Sequence, residues 1–336
     1  VKKFFIILDE HTDGKRAAAI WNKIQNYLNK QKINYEVSNV QPELATSIAE
    51  QFMRTHSPQN LENFVIMVIG EHSLMLDTIK GIKNTGKKEV PVAFITTNKK
   101  KDPFMQKIGI SSNPVAALKQ ILNTVQPAYF NLGQVDETTH SSRRLFTDRL
   151  DIGFNAYVSN SLMNSRTHQV LTRFHLEYLL KAWNTLTSYI NQEVFEVTMR
   201  VDKKYNFYKH AFNVTIKNNP VISEQKVHHS KNSSVSANNL NIELANNMNF
   251  LFYLIFLIAR KFNLHHKLPF IHDFESDQVH LVIKSLEFGQ IDGEQMNNKF
   301  YDVFFKSFSY PFWYDIDSIP LADLSEKNET EYLDKN

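Results

Sequence analysis

The chain has 336 residues, 42% apolar and 22% charged, enough for two domains with real cores and the balance of an ordinary soluble globular protein. A formal charge of +3 is too small for a nucleic-acid surface, and the 25 Phe and 13 Tyr are scattered rather than set along a basic stripe, so nucleic acid is not an expected partner. No cysteine is present, which excludes disulfides, thiolate metal sites and a cysteine nucleophile.

Val1 to Leu8 reads as a strand, cut short by Asp9 and too brief for a signal peptide. A cytoplasmic protein, at most peripheral to a membrane, is therefore expected. Lys15 to Gln31 is a helix with Ile20, Ile24 and Leu28 on one face. Asn34 to Val40 can form a short strand, and Pro42 starts a second helix with Leu44, Ile48 and Phe52 inward. Val65 to Ile69 is an unbroken apolar run, mostly β-branched, the pattern of a strand buried on both faces. Gly70 ends it, and Leu74, Leu76, Ile79 and Ile82 mark a helix that begins almost at once.

Such a turn aims backbone N–H groups and the positive end of a helix dipole at the crest of a parallel sheet, where α/β proteins hold phosphates. A phosphate cradle needs several glycines for close backbone approach, yet Gly70 is followed by the anion Glu71. Pro91 to Ile95 is a fourth strand. Lys99, Lys100 and Lys101 follow it on the ligand edge of the sheet, as either a solvated loop or a contact for an anion or a membrane. Asn113-Pro114 supplies an N-cap and a first helical proline for a helix from Val115 to Val125.

From Gln126-Pro127 the pattern changes. Phe195 to Val201 and Phe212 to Ile216 alternate apolar with polar residues, and Asp202 to Asn206 supplies a turn between them. Leu281 to Leu286 and Phe300 to Phe305 read as further strands, and Leu171 to Ile190 as a helix. Phe250 to Ala259 is apolar throughout but only half the length that crosses a bilayer, so it is expected as a buried helix or the wall of an apolar pocket, the alternative being contact with lipid. Asn218 to Asn239 reads as a long polar loop, and Asp323 to Asn336 as a frayed tail. Adjacent histidines diverge, so His228-His229 and His265-His266 are read as surface residues, and no metal site is expected. In Gln290-Ile291-Asp292-Gly293-Glu294, Asp-Gly is a turn pair, and Glu294 is either a solvated turn residue or a general base.

The order of these parts resembles the diacylglycerol kinase catalytic-domain family, over nearly the whole chain from Phe4 to about Tyr314. The family turn Gly-Gly-Asp-Gly-Thr is matched by Gly70-Glu71-His72-Ser73-Leu74, with Asp77 and Gly81 kept further on. The family's Asn-Pro-x-Ser-Gly looks like Glu10 to Gly14, followed by Lys15. Phe104, Ile108, Gly109 and Ile110 match the tail of the fourth-strand motif, whose Gly-Thr and Asn-Asp fall on Lys99-Lys100 and Asp102-Pro103. Three family acids read Asn131, Asn155 and Asn241, and the Gln-x-Asp-Gly-Glu segment is intact at Gln290 to Glu294.

The resemblance implies an α/β plus β protein. A layered, NAD-kinase-like domain with a parallel sheet would occupy residues 1–126, with about 313–336 returning to it, and a mostly antiparallel β domain would occupy 127–312. It also implies ATP and Mg²⁺ as cofactors and a lipid hydroxyl, met at a membrane surface, as substrate. Glu294 would be the base, and Gly14, Lys15, Gly70, Glu71, His72, Ser73, Lys99 and Lys100 would line the nucleotide positions. His72 stands where the family has a metal-linked aspartate, and imidazole is a poor partner for Mg²⁺, which takes oxygen ligands. Weak or lost activity is therefore expected, the alternative being a non-catalytic relative that binds a lipid or a partner. Self-association is left open.

Overall fold

The computed structural model describes residues 2–9, 15–41, 44–98, 102–138, 142–164, 177–219 and 239–315. The expected polar loop, the acidic tail, His228-His229, Gly14 and the Lys99 to Lys101 run lie wholly or mostly outside the described residues. The chain divides into two compact units. Among the described residues, those up to Leu132 and those from Ser309 form the first, and the remainder form the second.

The first unit alternates β1 (Lys3–Leu8), α1 (Lys15–Lys30), β2 (Tyr35–Asn39), α2 (Ala45–Thr55), the single turn α3 (Pro58–Leu61), β3 (Phe64–Gly70), α4 (His72–Asn84), β4 (Val92–Thr96), α5 (Pro103–Lys107) and α6 (Pro114–Asn123). Its sheet is parallel, in the order β2-β1-β3-β4. Right-handed crossovers then place α1 on one face and α2 with α4 on the other. Every residue of β3 is buried, because a strand covered on both faces has no polar side to show. Asn113 caps α6 as its spacing predicts, accepting from the N–H groups of Val115 at 3.0 Å and Ala116 at 3.2 Å.

The second helix departs from expectation. Leu44 is exposed, and the inward face of α2 carries Ala45, Ala49, Phe52 and Met53. The cause is the close approach of α4: a Cβ on Gly81 would run into the carbonyl of Thr46 and come within 2.9 Å of the Ala49 methyl. Only small residues fit such a crossing, so the seam selects Ala45, Ala49 and Gly81 rather than the bulkier apolar residues.

The second unit receives β5 (Ala128–Glu137) from the first and continues with β6 (Arg143–Phe146), β7 (Arg149–Gly153), α7 (Phe154–Asn164), α8 (Glu177–Asn191), β8 (Phe195–Val201), β9 (Lys204–Asn218), β10 (Leu240–Asn246), α9 (Phe250–Lys261), β11 (Ile271–Ser276), β12 (Gln278–Ile291) and β13 (Glu294–Phe312). Its strand pairs are antiparallel. β7 and β8 each pair with both β9 and β12, which closes a ring of four strands around Ile152, Val197, Met199, Val214, Leu281 and Ile283. The hairpin turn is tighter than the sequence suggests. Asp202 and Lys203 alone make it, at φ 48° and 66°, the left-handed pair that a two-residue hairpin requires. The end of β13 belongs to the first unit, where Phe312 pairs with Val92 and the Trp313 indole donates to the Ile121 carbonyl at 3.1 Å.

The Phe250 helix is not enclosed. Only Tyr253 and Phe256 of α9 are buried, against Phe154, Phe212 and Phe270, while most of its other apolar side chains face outward. Composition gives the apolarity of a helix, but a helix lying on the unit's surface has only one stripe covered.

Candidate functional site

The crest of the first unit is built from the carboxyl ends of β1, β3 and β4. Backbone bonds tie these ends together: the Asp9 N–H donates to the Ile69 carbonyl and the Thr97 N–H to the Gly70 carbonyl, both at 3.0 Å. β3 stops at Gly70, and Glu71 takes the N-cap position of α4 with extended backbone, φ −84° and ψ 166°, without a capping bond from its side chain. A Cβ on Gly70 would lie 2.5 Å from Leu74 Cδ2. Leu74, in the family's threonine position, is buried and fills the space under the turn. Glu71, His72 and Ser73 are half-buried along the crest.

His72 is fixed from three sides. Its Nδ1 lies 2.7 Å from Asp102 Oδ2, so Nδ1 carries the proton and donates it. The rings of Phe94 and Phe104 meet the imidazole edge to face, at 6.2 and 5.9 Å. Asp102 also caps α5, its Oδ1 accepting from Phe104 N at 2.9 Å and Met105 N at 3.1 Å. Burial works against the charge on Asp102, but the His72 contact and these two N–H groups outweigh it and hold the carboxyl below the usual aspartate range.

One cation that sequence reasoning missed stands on the same crest. Arg16, in the first turn of α1, donates from Nε to the Thr97 carbonyl at 2.8 Å and from Nη2 to the Asn98 carbonyl at 3.4 Å. Its position directly after Gly14-Lys15, the remnant of a family motif, was the available signal. Asp102 was missed as well, because its partner is thirty positions away in sequence.

Thus the first unit brings Gly70, Glu71, His72 and Ser73 onto one edge, and Lys15 opens α1 as its first residue. Glu294 belongs to the second unit, where it is exposed and starts β13 opposite Ile291. The turn before it is locked by Asp292, whose carboxylate accepts from Thr147 N at 2.6 Å, Thr147 Oγ1 at 3.0 Å, Asp148 N at 2.9 Å and Arg149 N at 3.0 Å. The three asparagines at family acid positions have separate surroundings. Asn131 is buried in β5, Asn241 is exposed on β10, and Asn155 donates from Nδ2 to Asp151 Oδ1 at 3.2 Å.

His265 corrects the surface reading of the second histidine pair: it is buried, with Nε2 3.5 Å from Glu243 Oε2, while His266 is exposed. The ligand atoms of Glu243, His265 and His266 lie within 4.8 Å of one another. The same Glu243 oxygen, however, is 2.9 Å from Lys217 Nζ, so a metal would have to displace an ammonium. Burial and the neighbouring His266 push the His265 imidazole below its usual range; Glu243, despite its burial, is held low chiefly by Lys217.

No protein-family model matches the chain. A Bacillus subtilis (strain 168) protein named "Putative lipid kinase YtlR" is 22% identical over 221 residues, covering 65% of this chain and 69% of that protein. Among solved structures, a "putative diacylglycerol kinase" from Bacillus anthracis str. Sterne superposes with a TM-score of 0.58 at 17% identity, over 93% of this chain and 95% of its own. Another chain from that organism, described as a diacylglycerol kinase, gives 0.52 at 14% identity, over 93% and 96%. The class these likenesses define is a mixed α/β chain, rich in sheet, with the fold of the diacylglycerol kinases. The chain thus shares the fold of these structures, and its sequence is similar to that of a protein named a putative lipid kinase.

Proposed function

We propose that the chain is a lipid-directed member of the diacylglycerol kinase family in which phosphoryl transfer from ATP is weak or lost. The observation that carries the reading is the His72–Asp102 contact of 2.7 Å. At the position of a metal-linked aspartate, an imidazole spends its proton on a buried carboxylate. Mg²⁺ is a hard ion that takes oxygen ligands, so His72 does not replace that acid, and Asp102 is already committed to His72 and to the N-terminus of α5. Glu71 at the head of α4 adds a negative charge where a helix N-terminus would otherwise favour phosphate. Leu74 fills space beneath the turn. These residues do not fit the Mg²⁺ and ATP that the family uses.

In this reading the family's parts are kept: a nucleotide-site-like domain with its crest at Gly70, and a lipid-directed β domain that carries the Asp292-Gly293-Glu294 turn. Phosphoryl transfer rests on positioning and on neutralising phosphate charge, so loss of both costs most of the rate even with Glu294 in place. Titration calorimetry of ATP with Mg²⁺ tests the reading. Binding no better than millimolar is expected, with diacylglycerol phosphorylation near background. Micromolar affinity would overturn it.

The rival reading is an active, divergent kinase with Glu294 as base and Lys99 and Lys100 replacing phosphate contacts. It is favoured by Arg16, a guanidinium held at the crest by two carbonyls. Loss of micromolar ATP affinity in Lys99→Ala/Lys100→Ala or in Arg16→Ala would decide for it.

Among the described residues, no helix is long and apolar enough to cross a membrane.

A further inference from the structure

The outward face of α9 has no use in the site described above. Along it, Leu251, Leu254, Ile258 and Phe262 recur at helical spacing, and Leu251, Ile258 and Phe262 are 62, 63 and 65% exposed. The neighbouring helix α8 extends the surface. Tyr189 of α8 stacks on Tyr253 of α9 at 5.4 Å and meets Phe250 at 5.6 Å, and α8 shows Trp183 at 67% and Ile190 at 72% exposure. Large apolar side chains exposed on two helices that touch mark an interaction site rather than ordinary scatter.

Charge selects the partner. From residue 244 to 272 the sequence holds no aspartate or glutamate, and Arg260, Lys261 and Lys267 lie exposed at the carboxyl end of α9 and in the turn after it. The Arg260 guanidinium lies over the rim of the covered side, 5.8 Å from the centre of the Phe256 ring, so the cations stand at the carboxyl end of the helix. An apolar stripe flanked by cations, on a helix of 12 residues, is the pattern of a helix that lies in the plane of a membrane interface. The exposed charges of α9 and of the turn after it are all positive, which favours an anionic surface over a protein rim of mixed charge.

We propose that α9, with Trp183 and Ile190 of α8, docks the protein on an anionic phospholipid surface, its apolar stripe in the acyl boundary and Arg260, Lys261 and Lys267 among the headgroups. The proposal rests on the lipid reading only for choosing a bilayer over another apolar partner.

Sedimentation of the full chain with vesicles, without nucleotide, tests it. Vesicles of phosphatidylcholine mixed equally with phosphatidylglycerol are expected to carry the protein down, and phosphatidylcholine alone to carry far less. Leu251→Gln/Ile258→Gln/Phe262→Gln should weaken binding to the mixed vesicles at least tenfold. Arg260→Gln/Lys261→Gln/Lys267→Gln should remove most of the anionic preference, about fivefold per cation. If the first variant misfolds, the wild-type protein still answers: Trp183, the exposed tryptophan, should shift its emission to the blue on mixed vesicles. Wild-type protein that stays in the supernatant, shows no Trp183 shift, or loses nothing in the apolar variant overturns the proposal. So does a wild-type dimer that the apolar variant turns into a monomer, because the face then covers a second copy. Vesicle binding without phosphotransfer would remove the rival kinase reading and leave this inference standing. Absent vesicle binding together with ATP affinity no better than millimolar would remove this inference alone, whereas phosphorylation of detergent-dispersed diacylglycerol would overturn the reading of lost transfer.

Discussion

His72 Nδ1 donates to Asp102 Oδ2 across 2.7 Å, which ties the turn after β3 to the N-terminus of α5. The Asp102 carboxylate thereby serves a histidine with one oxygen and a helix cap with the other.

Asp102→Asn should separate these roles. Asparagine still caps α5, so only the charged contact with His72 is lost, at a cost of about 1–2 kcal/mol; Asp102→Ala should lose about 1 kcal/mol more with the cap. The folded state holds this carboxyl below its usual value, so its stabilisation is present above the unfolded pKa and disappears as pH falls through the folded one. Urea melts of wild type and Asp102→Asn should therefore differ at neutral pH and converge in acid. A difference that grows in acid would contradict the assignment.

The two glycines kept from the family turn have unequal structural duties. Gly81 is hemmed by the Thr46 carbonyl and the Ala49 methyl, so Gly81→Ala should cost about 1–3 kcal/mol by forcing α2 and α4 apart. Gly70 is crowded only by the flexible end of Leu74. Gly70→Ala should cost less than about 1 kcal/mol. Thermal melts that rank the two in reverse would place the strain at the crest instead.

Much of the first unit was legible in the sequence because its signals are local. The β-branched run of β3, the Ile20-Ile24-Leu28 face of α1 and the Asn113-Pro114 cap each depend on near neighbours. The misreadings depend on what lies across space. Leu44 faces outward because α4 crosses too closely for it, and α9 is half-exposed because nothing in an apolar run says how many faces are covered. At the site, the family register located His72, but its partner comes from another loop and its meaning depends on that partner. Arg16 acts through a long side chain that reaches the end of β4, which periodicity does not register.

Within the second unit, Asp292 and Glu294 should separate stability from chemistry. The Asp292 carboxylate accepts four hydrogen bonds from the 147–149 segment while its own backbone is left-handed, at φ 48°. Asp292→Ala should lose about 3 kcal/mol or more, since it strands those donors and keeps a backbone shape that alanine disfavours. Glu294→Gln, at an exposed position, should stay within about 0.5 kcal/mol of wild type. Any phosphotransferase activity that exists should nevertheless fall to background in Glu294→Gln. Activity that survives it would remove Glu294 from the role of base.

The last prediction concerns rebuilding the nucleotide site. Glu71 sits half-buried at the head of α4, where the family has glycine. Two unit charges ~4 Å apart repel by about 4 kcal/mol at an effective dielectric near 20, roughly a thousandfold in affinity before the side chain swings away. Glu71→Gly alone should recover only that repulsion. Restoring the whole turn, with Glu71→Gly, His72→Asp, Ser73→Gly and Leu74→Thr, looks sufficient from the sequence but meets an obstacle in the structure. The new aspartate at 72 would stand where an imidazole now lies 2.7 Å from Asp102, so two carboxylates would face each other and one would have to take up a proton or move. The fourfold variant should therefore be unstable at neutral pH and gain little affinity for ATP with Mg²⁺. Adding Asp102→Asn should relieve the clash and keep the cap on α5. Calorimetry should find the fivefold variant binding ATP with Mg²⁺ at least tenfold tighter than the fourfold one, and melts should find it more stable. Equal affinity in the two variants would mean that the His72–Asp102 pair is not what blocks the metal.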